Sequence, residues 1–561
     1  MRTGSTEYNP TLNGKPLALE QYERSRSLAI APDKQHFLLG ADYRLRYFDR
    51  QGREVWQQPV PGTAWGVNIS KDGKLAVAAF ADGTVRWYRL SDGEPLLALF
   101  VSVNQKTKEA EHWVAWTPKG WYDSSPGGDS LIGWQVNNGK DRLADFFPAS
   151  QFRERFYRPD VVAKVLETLD QDKAVARADA AAGRKRSGPV VLSLPPAVDL
   201  LAPANGSSFS SPTLTLRYRV RTQDGPPITH LLVQVDGRYR QRATVERRRD
   251  TEWEGSLDVT LPAKDMTLSL LAENALGDTS PPADINLHWQ GNIDPFKPVL
   301  YVLAVGVDTY DAPAINFAVD DQGKRTDRKY LNYAGADARD FVQEMRKHVG
   351  PGRHRLYREV KEKVLINEQA DRSAVLDGLD WIERETTNKD VAMVFFAGHG
   401  KLDRRGDYYF LPRDFEPGRY MSSGVSYDAI NSTVSRIQGK ALFFVDTCYS
   451  GRAAGRRGND KVDITRIIND LSAAENGVIV LSATTGQQTA LEKPEWGHGA
   501  FTLALLEALR GNADYIKDRA VKVSEIKLYI AERVKTMTNS KQTPAVVIPR
   551  NVPDFPVVAL P

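Results

Sequence analysis

Three stretches in the second half of the chain are apolar almost without interruption: VLYVLAVGV (299–307), VAMVFFAGHG (391–400) and KALFFVDTCYSG (440–451). A strand with one wet face alternates apolar and polar residues, so continuous runs of this kind predict strands buried on both faces. GVIVLSATT (477–485) reads as a further strand. Text of helical period lies between and after them: ADARDFVQEMRKHVG (336–350), DRSAVLDGLDWIERET (371–386) with Asp371 as N-cap, and GAFTLALLEALRG (499–511) closed by Gly511. Strands alternating with helices predict an α/β domain with a mostly parallel sheet covered on both sides. Reactive groups in such sheets gather at the carboxyl ends of the strands.

Two of the runs end alike, with a small residue followed by a reactive side chain. One closes at Ala397-Gly398-His399-Gly400 and the other at Asp446-Thr447-Cys448, the only cysteine among 561 residues. If the two strands are adjacent and parallel, His399 and Cys448 leave the same edge of the sheet. Such a pair suffices for nucleophilic chemistry: the imidazole takes the thiol proton and the thiolate attacks a carbonyl. Gly400 and Cys448 amides would then bind the developing oxyanion, and the glycines beside His399 would let the backbone approach a substrate. The plainer reading is a packing cysteine and an ordinary polar histidine. Among the eight histidines, His498 is the competitor, but it precedes a helix in Trp496-Gly497-His498-Gly499 and reads as structural.

The N-terminal half has a different texture. LAIAPDKQHFLLGADYRLRYFD (28–49) is echoed by VNISKDGKLAVAAFADGTVRWYRL (67–90), with Asp33 mapping onto Asp72. That spacing resembles WD repeats and predicts about two β-blades over 1–105, too few to close a propeller ring, so packing on the rest of the chain is expected. An aromatic-rich extension (106–170) ends in a helix, and DKAVARADAAAGRKRSGP, within 171–190, reads as a solvated basic linker; its sharper reading is a protease site at Arg186. From 191 to 291, short alternating strands with turn residues about every ten positions predict a β-sandwich of immunoglobulin type, acting as a spacer or docking module.

Bulk composition excludes more than it selects. A net charge of +4, 41% hydrophobic and 26% charged residues give no nucleic-acid footprint. One cysteine excludes an intramolecular disulfide and fits a reducing compartment. MRTGSTEYNPTLNGKP lacks a signal-type apolar core, and no stretch approaches the ~20 apolar residues that span a bilayer. A cytoplasmic protein without membrane or nucleic-acid partners is the expectation.

FFAGHG followed by FFVDTCYSG resembles the histidine and cysteine motifs of the caspase-like superfamily, of the bacterial orthocaspase and metacaspase type. YVLAVGVDTY resembles its opening strand and LNYAGADARDF its first helix. DYYFLPRDF, LSATTGQQTALE, WGHGAFTLALLEALRG and QTPAVVIP follow in the family's order. The resemblance covers 296–561: a part like the large subunit (296–452), a linker (452–465) and a part like the small subunit (466–561). It implies a cysteine endopeptidase with Cys448 as nucleophile, His399 as general base and an oxyanion hole of the Gly400 and Cys448 amides. Asp446 and Asp337 match the acidic pocket of metacaspases, which implies cleavage after Arg, or Lys, by charge-assisted hydrogen bonds.

The chain departs from that pattern at Tyr449, where a histidine is common, and at Gly486, where an aspartate is frequent. Asp403, Asp407, Asp414 and Glu416 are scattered among arginines, so no cofactor is expected and calcium is the less favoured alternative. The linker RAAGRRGNDKVD offers Arg456 and Arg457 as processing sites, and DDQGKRTDRKY (320–330) offers Lys324 and Arg325; both stretches also read as plain charged loops. The resemblance further implies a zymogen, opened by a partner or by proteolysis in a bacterial stress or defence pathway, acting on proteins with exposed Arg or Lys. Two other readings stand beside it: a catalytically inactive caspase-fold scaffold, and a cysteine hydrolase of non-peptide amides.

Overall fold

The computed structural model describes residues 10–103, 110–137, 140, 144–182, 194–222, 226–245, 250–275, 277–291, 297–319, 325–329, 331–350, 352, 355–403, 407–449, 465–473, 476–485, 488 and 490–561. Two compact units emerge: Met1–Gln135 with Pro148–Val191, and Val136–Phe147 with Leu192–Pro561.

The first unit is built on antiparallel sheets. Four strands, Ser25–Ile30, His36–Ala41, Arg44–Asp49 and Glu54–Pro59, form one sheet; six, from Ala64–Ile69 to Tyr122–Ser124, form the next. The repeat is visible in its turns. Asp33 accepts the amides of Gln35 and His36, and Asp72 accepts that of Lys74, so each aspartate ties the first hairpin of its sheet. The expected boundary at 105 falls inside the six-stranded sheet, because Val103 pairs with Ala110. The expected linker is also corrected: Gln171–Ala181 is a helix, capped by Asp170 and seated on buried Ala174 and Ala178. Alanine-rich text with an acidic cap favours helix even where charge suggests solvent.

In the second unit, a three-stranded sheet (Ala197–Ala202, Thr213–Arg221, Glu252–Thr260) packs on a five-stranded one (Ser208–Phe209, Ile228–Val235, Arg238–Thr244, Met266–Asn274, Ala283–Trp289). Leu216, Val220 and Val259 from one sheet meet Val233, Leu268 and Leu270 from the other in a single core. An Asp236-Gly237 turn with positive φ at both residues (52° and 76°) projects from this sandwich into the C-terminal domain. There the Gly237 backbone lies against Gly477, and buried Arg238 donates to the carbonyls of Val434, Ile437 and Asn476.

The C-terminal domain is an eight-stranded sheet made of β1 (Val299–Gly306), β2 (Glu359–Ile366), β3 (Val391–Leu402), β4 (Tyr408–Phe410), β5 (Val425–Ser426), β6 (Lys440–Tyr449), β7 (Ile479–Ser482) and β8 (Ala545–Val547). The main order is β2-β1-β3-β6-β7-β8, parallel except for β8, with β4 paired antiparallel to β3 and β5 to β4. The apolar runs supply both faces at once, since alternate side chains point to opposite sides. Val302, Met393, Phe395 and Phe444 pack under α1 (Ala334–Arg346), α4 (Ala500–Glu507) and α5 (Val523–Thr538). Leu303, Val394, Phe396 and Phe443 pack under α2 (Arg372–Glu385) and α3 (Tyr427–Arg436). Asp371 caps α2, as its spacing predicts, by accepting the Ala374 amide at 2.8 Å. The stretch read as a charged loop beside α1 contains a hairpin of Phe317–Val319 and Arg325–Lys329.

Among the described residues no helix is long and apolar enough to cross a membrane.

Candidate active site

β3 and β6 are parallel neighbours, in a register that puts Ala397 beside Asp446 and His399 beside Cys448. Adjacent strands lie about 4.8 Å apart, so the two residues stand side by side in the register; the strand expected to close at His399 runs on to Leu402, because Gly400–Leu402 pair with β4. His399 is 1% exposed. Its ring stacks on Tyr310, centroids 5.3 Å apart and planes at 21°, and its amide donates to the Tyr310 hydroxyl at 2.9 Å.

The glycines around His399 make room for neighbouring aromatic side chains. A Cβ at Gly398 would stand 3.2 Å from the Tyr310 hydroxyl and from Phe410, and one at Gly400 would stand 2.5 Å from the Tyr408 hydroxyl. Tyrosines from two neighbouring segments occupy the space that side chains there would need. Gly400 lies in register between Phe410 and Tyr449.

A second cluster forms on the face of the sheet under α1 and α4. Asp446 shares strand parity with Leu442 and Phe444, so its side chain falls on that face. Asp337, in the first turn of α1, meets it there. Both are nearly buried, 6% and 3% exposed, and they converge on Gly499: a Cβ at that glycine would lie 2.9 Å from Asp446 Oδ2 and 3.3 Å from Asp337 Oδ2. Thr502 Oγ1 donates to Asp446 Oδ2 at 2.7 Å, and the Gly499 amide to Asp337 Oδ2 at 3.3 Å. Burial, and then the charge of Asp446, push Asp337 well above the usual carboxylate range. Burial likewise raises Asp446 to about 6, against the pull of the Thr502 hydrogen bonds.

Two members of this cluster were not expected. His498, read as structural, has Nδ1 2.8 Å from Asp337 Oδ1 and Nε2 3.4 Å from Asp340 Oδ2, and burial pushes its pKa down. Glu492 sits on the short strand paired with His498–Gly499, accepts from Asn332 N and Nδ2 at 2.8 and 3.0 Å, and is raised by burial. His498 did carry a signal: like His399, it stands between two glycines. Glu492 carried none.

Arg186, Lys324, Arg456, Arg457 and Gly486 lie outside the described residues; Arg325 opens the hairpin strand beside α1. The acids weighed for calcium serve turns and caps. Asp403 accepts the Asp407 amide, Asp414 accepts that of Arg372, and Glu416 pairs with Arg419. Asp514, Asp518 and Glu525 do come within reach of one another, but these carboxylates accept from main-chain amides and Asp518 also from Lys522.

Residues 303–555 match the family model of the caspase domain. The match runs from β1 past β8, so the C-terminal domain is caspase-like at the level of the superfamily. No curated protein matches the chain. Among solved structures, a crystal structure of a Geobacter sulfurreducens protein is 18% identical, over 44% of this chain and 92% of that one, with a TM-score of 0.30. The fibronectin(III)-like modules of Clostridium thermocellum CbhA are also 18% identical, over 17% of this chain and 96% of that one, with a TM-score of 0.14.

Proposed function

We propose that the caspase-like domain is a cysteine endopeptidase that cleaves proteins after arginine, or lysine. The observation that carries the reading is the convergence of the Asp337 and Asp446 carboxylates on Gly499, Asp446 standing two residues before Cys448 on the same strand.

In this reading His399 takes the proton of the Cys448 thiol and the thiolate adds to the scissile carbonyl carbon. Amides of Gly400 and Cys448 receive the oxyanion. Collapse of the tetrahedral adduct breaks the C–N bond, His399 returns its proton to the leaving amine, and water then hydrolyses the thioester. The residue before the scissile bond enters the carboxylate cluster. Burial raises the pKa of both carboxylates, and a guanidinium brought beside them would favour their charged forms by charge-assisted hydrogen bonds. An aspartate in the same place would add a third buried negative charge. Access is held back until a partner or a cut near Arg456-Arg457 releases it, as the family resemblance implies for a zymogen.

The test is hydrolysis of fluorogenic peptides bearing Arg, Lys or Asp before the reporter, by wild type, Cys448→Ala and His399→Ala, with mass spectrometry of the enzyme's own chain. Release after Arg that disappears in both variants is expected. Cleavage after Asp, or activity that survives loss of Cys448, would sink the proposal.

A further inference from the structure

Tyr310 lies just past the end of β1, is 3% exposed, and is fixed by both of its ends. At the main chain, Asn316 Oδ1 accepts the Tyr310 amide and Asn316 Nδ2 donates to the Tyr310 carbonyl, each at 2.7 Å. At the other end, the hydroxyl accepts the His399 amide at 2.9 Å and donates to the Val307 carbonyl at 3.1 Å. Between them the phenol ring lies nearly parallel to the imidazole. Gly398 makes this approach possible: it has φ 153°, and any side chain there would press on the Tyr310 hydroxyl at 3.2 Å. One side chain thus holds both the main chain and the ring of His399, and ties them to the end of β1.

From this geometry we propose that Tyr310 is a positioning residue for the Cys448–His399 pair: it holds the His399 imidazole where it can take the thiol proton. The inference rests on the cysteine–histidine reading above, and it does not depend on which peptide is cut. A histidine side chain has several staggered rotamers in general, and its second torsion is broad. A flat aromatic face stacked at 5.3 Å between centroids narrows the planes open to the ring, and the hydroxyl bridge fixes the backbone from which the ring hangs. A base free to turn away spends less time within reach of its proton, so the thiol ionises as an unassisted thiol does, near its ordinary pKa of about 8.5.

The experiment uses the full chain and iodoacetamide. Thiolate attacks the methylene carbon, iodide leaves, and the added mass on the intact chain reports Cys448 alone, since there is no other cysteine. Second-order rates are measured from pH 5.5 to 9.5 for wild type, His399→Ala, Tyr310→Phe, which keeps the ring and removes the bridge, and Tyr310→Leu, which removes both. We expect the His399→Ala profile to move to higher pH. Tyr310→Leu should follow it, with a rate roughly tenfold below wild type at pH 6.5 and within twofold at pH 9.5, where the thiol ionises unaided. Tyr310→Phe should fall between. A merely structural role would lower rates equally at all pH values. Tyrosine variants whose profiles superimpose on wild type while His399→Ala is displaced would overturn the role of Tyr310 alone. A profile unchanged, or no reaction at all, with or without His399 would overturn the cysteine–histidine reading and this inference together.

Discussion

Replacing Asp446 by asparagine tests the electrostatics of the pocket without any assumption about substrate. Its carboxyl is raised from 3.8 to about 6 by burial. An acid raised in the folded state takes up a proton on folding between its two pKa values, so stability falls as pH rises through that window and stays reduced above it. At 1.36 kcal/mol per unit, the shift corresponds to about 3 kcal/mol of destabilisation above pH 6. Asparagine is nearly isosteric, keeps an oxygen to accept from Thr502 Oγ1, and carries no charge. It also removes the neighbouring charge that helps raise Asp337. Asp446→Asn should therefore melt within a degree or so of wild type at pH 4 and about 6 °C higher at pH 8, taking about 2 °C per kcal/mol for a domain of this size. Scanning calorimetry of the full chain at five pH values between 4 and 8 measures the gap. Equal gaps at every pH, or a variant less stable than wild type at pH 8, would refute the reasoning. Cleavage after Arg should fall in the same variant, which would make Asp446 a residue kept for function at a cost in stability.

Other perturbations reach other parts of the site. Gly499→Ala puts a methyl 2.9 Å from Asp446 Oδ2 and 3.3 Å from Asp337 Oδ2, so KM for arginyl peptides should rise about tenfold with kcat less affected, read by steady-state kinetics. His498→Ala removes the ring whose Nδ1 lies 2.8 Å from Asp337 Oδ1; if that nitrogen carries the proton in the active enzyme, its loss makes the carboxylate harder to ionise and the acid limb of kcat/KM against pH should move up. Arg238→Ala leaves the carbonyls of Val434, Ile437 and Asn476 without their buried donor, with an expected loss of about 3 kcal/mol or more, seen as a lower melting temperature of the second unit.

Particular elements show how far the sequence could be read. β1, β3 and β6 were plain because continuous apolar text has few other uses, and Asp371 was plain because an N-cap acts within three residues. β2, EVKEKVLI, was missed: it is an edge strand, half-exposed, with lysines of the kind that protect sheet edges, and its charge hides it. The helix at Gln171–Ala181 was hidden by its Lys173 and Arg177 and by the Arg184-Lys185-Arg186 run that follows in the sequence. Tyr310 reads as one more aromatic after a strand, and nothing local says that it faces His399, which follows 89 positions later.

By itself, then, the sequence determined the α/β character of the C-terminal domain and placed His399 and Cys448 toward the carboxyl ends of their strands, because apolar continuity is a local property of the chain. Only the tertiary structure decided which strand ends are neighbours, that His498 and Glu492 join the aspartate cluster, and that Tyr310 stacks on His399. His498 and Asp337 are 161 positions apart, and their contact exists because sheet order brings α1 and the start of α4 over one face. Contacts of that span follow from strand pairing and helix packing, which are free energies of the whole fold, and no window of residues contains them.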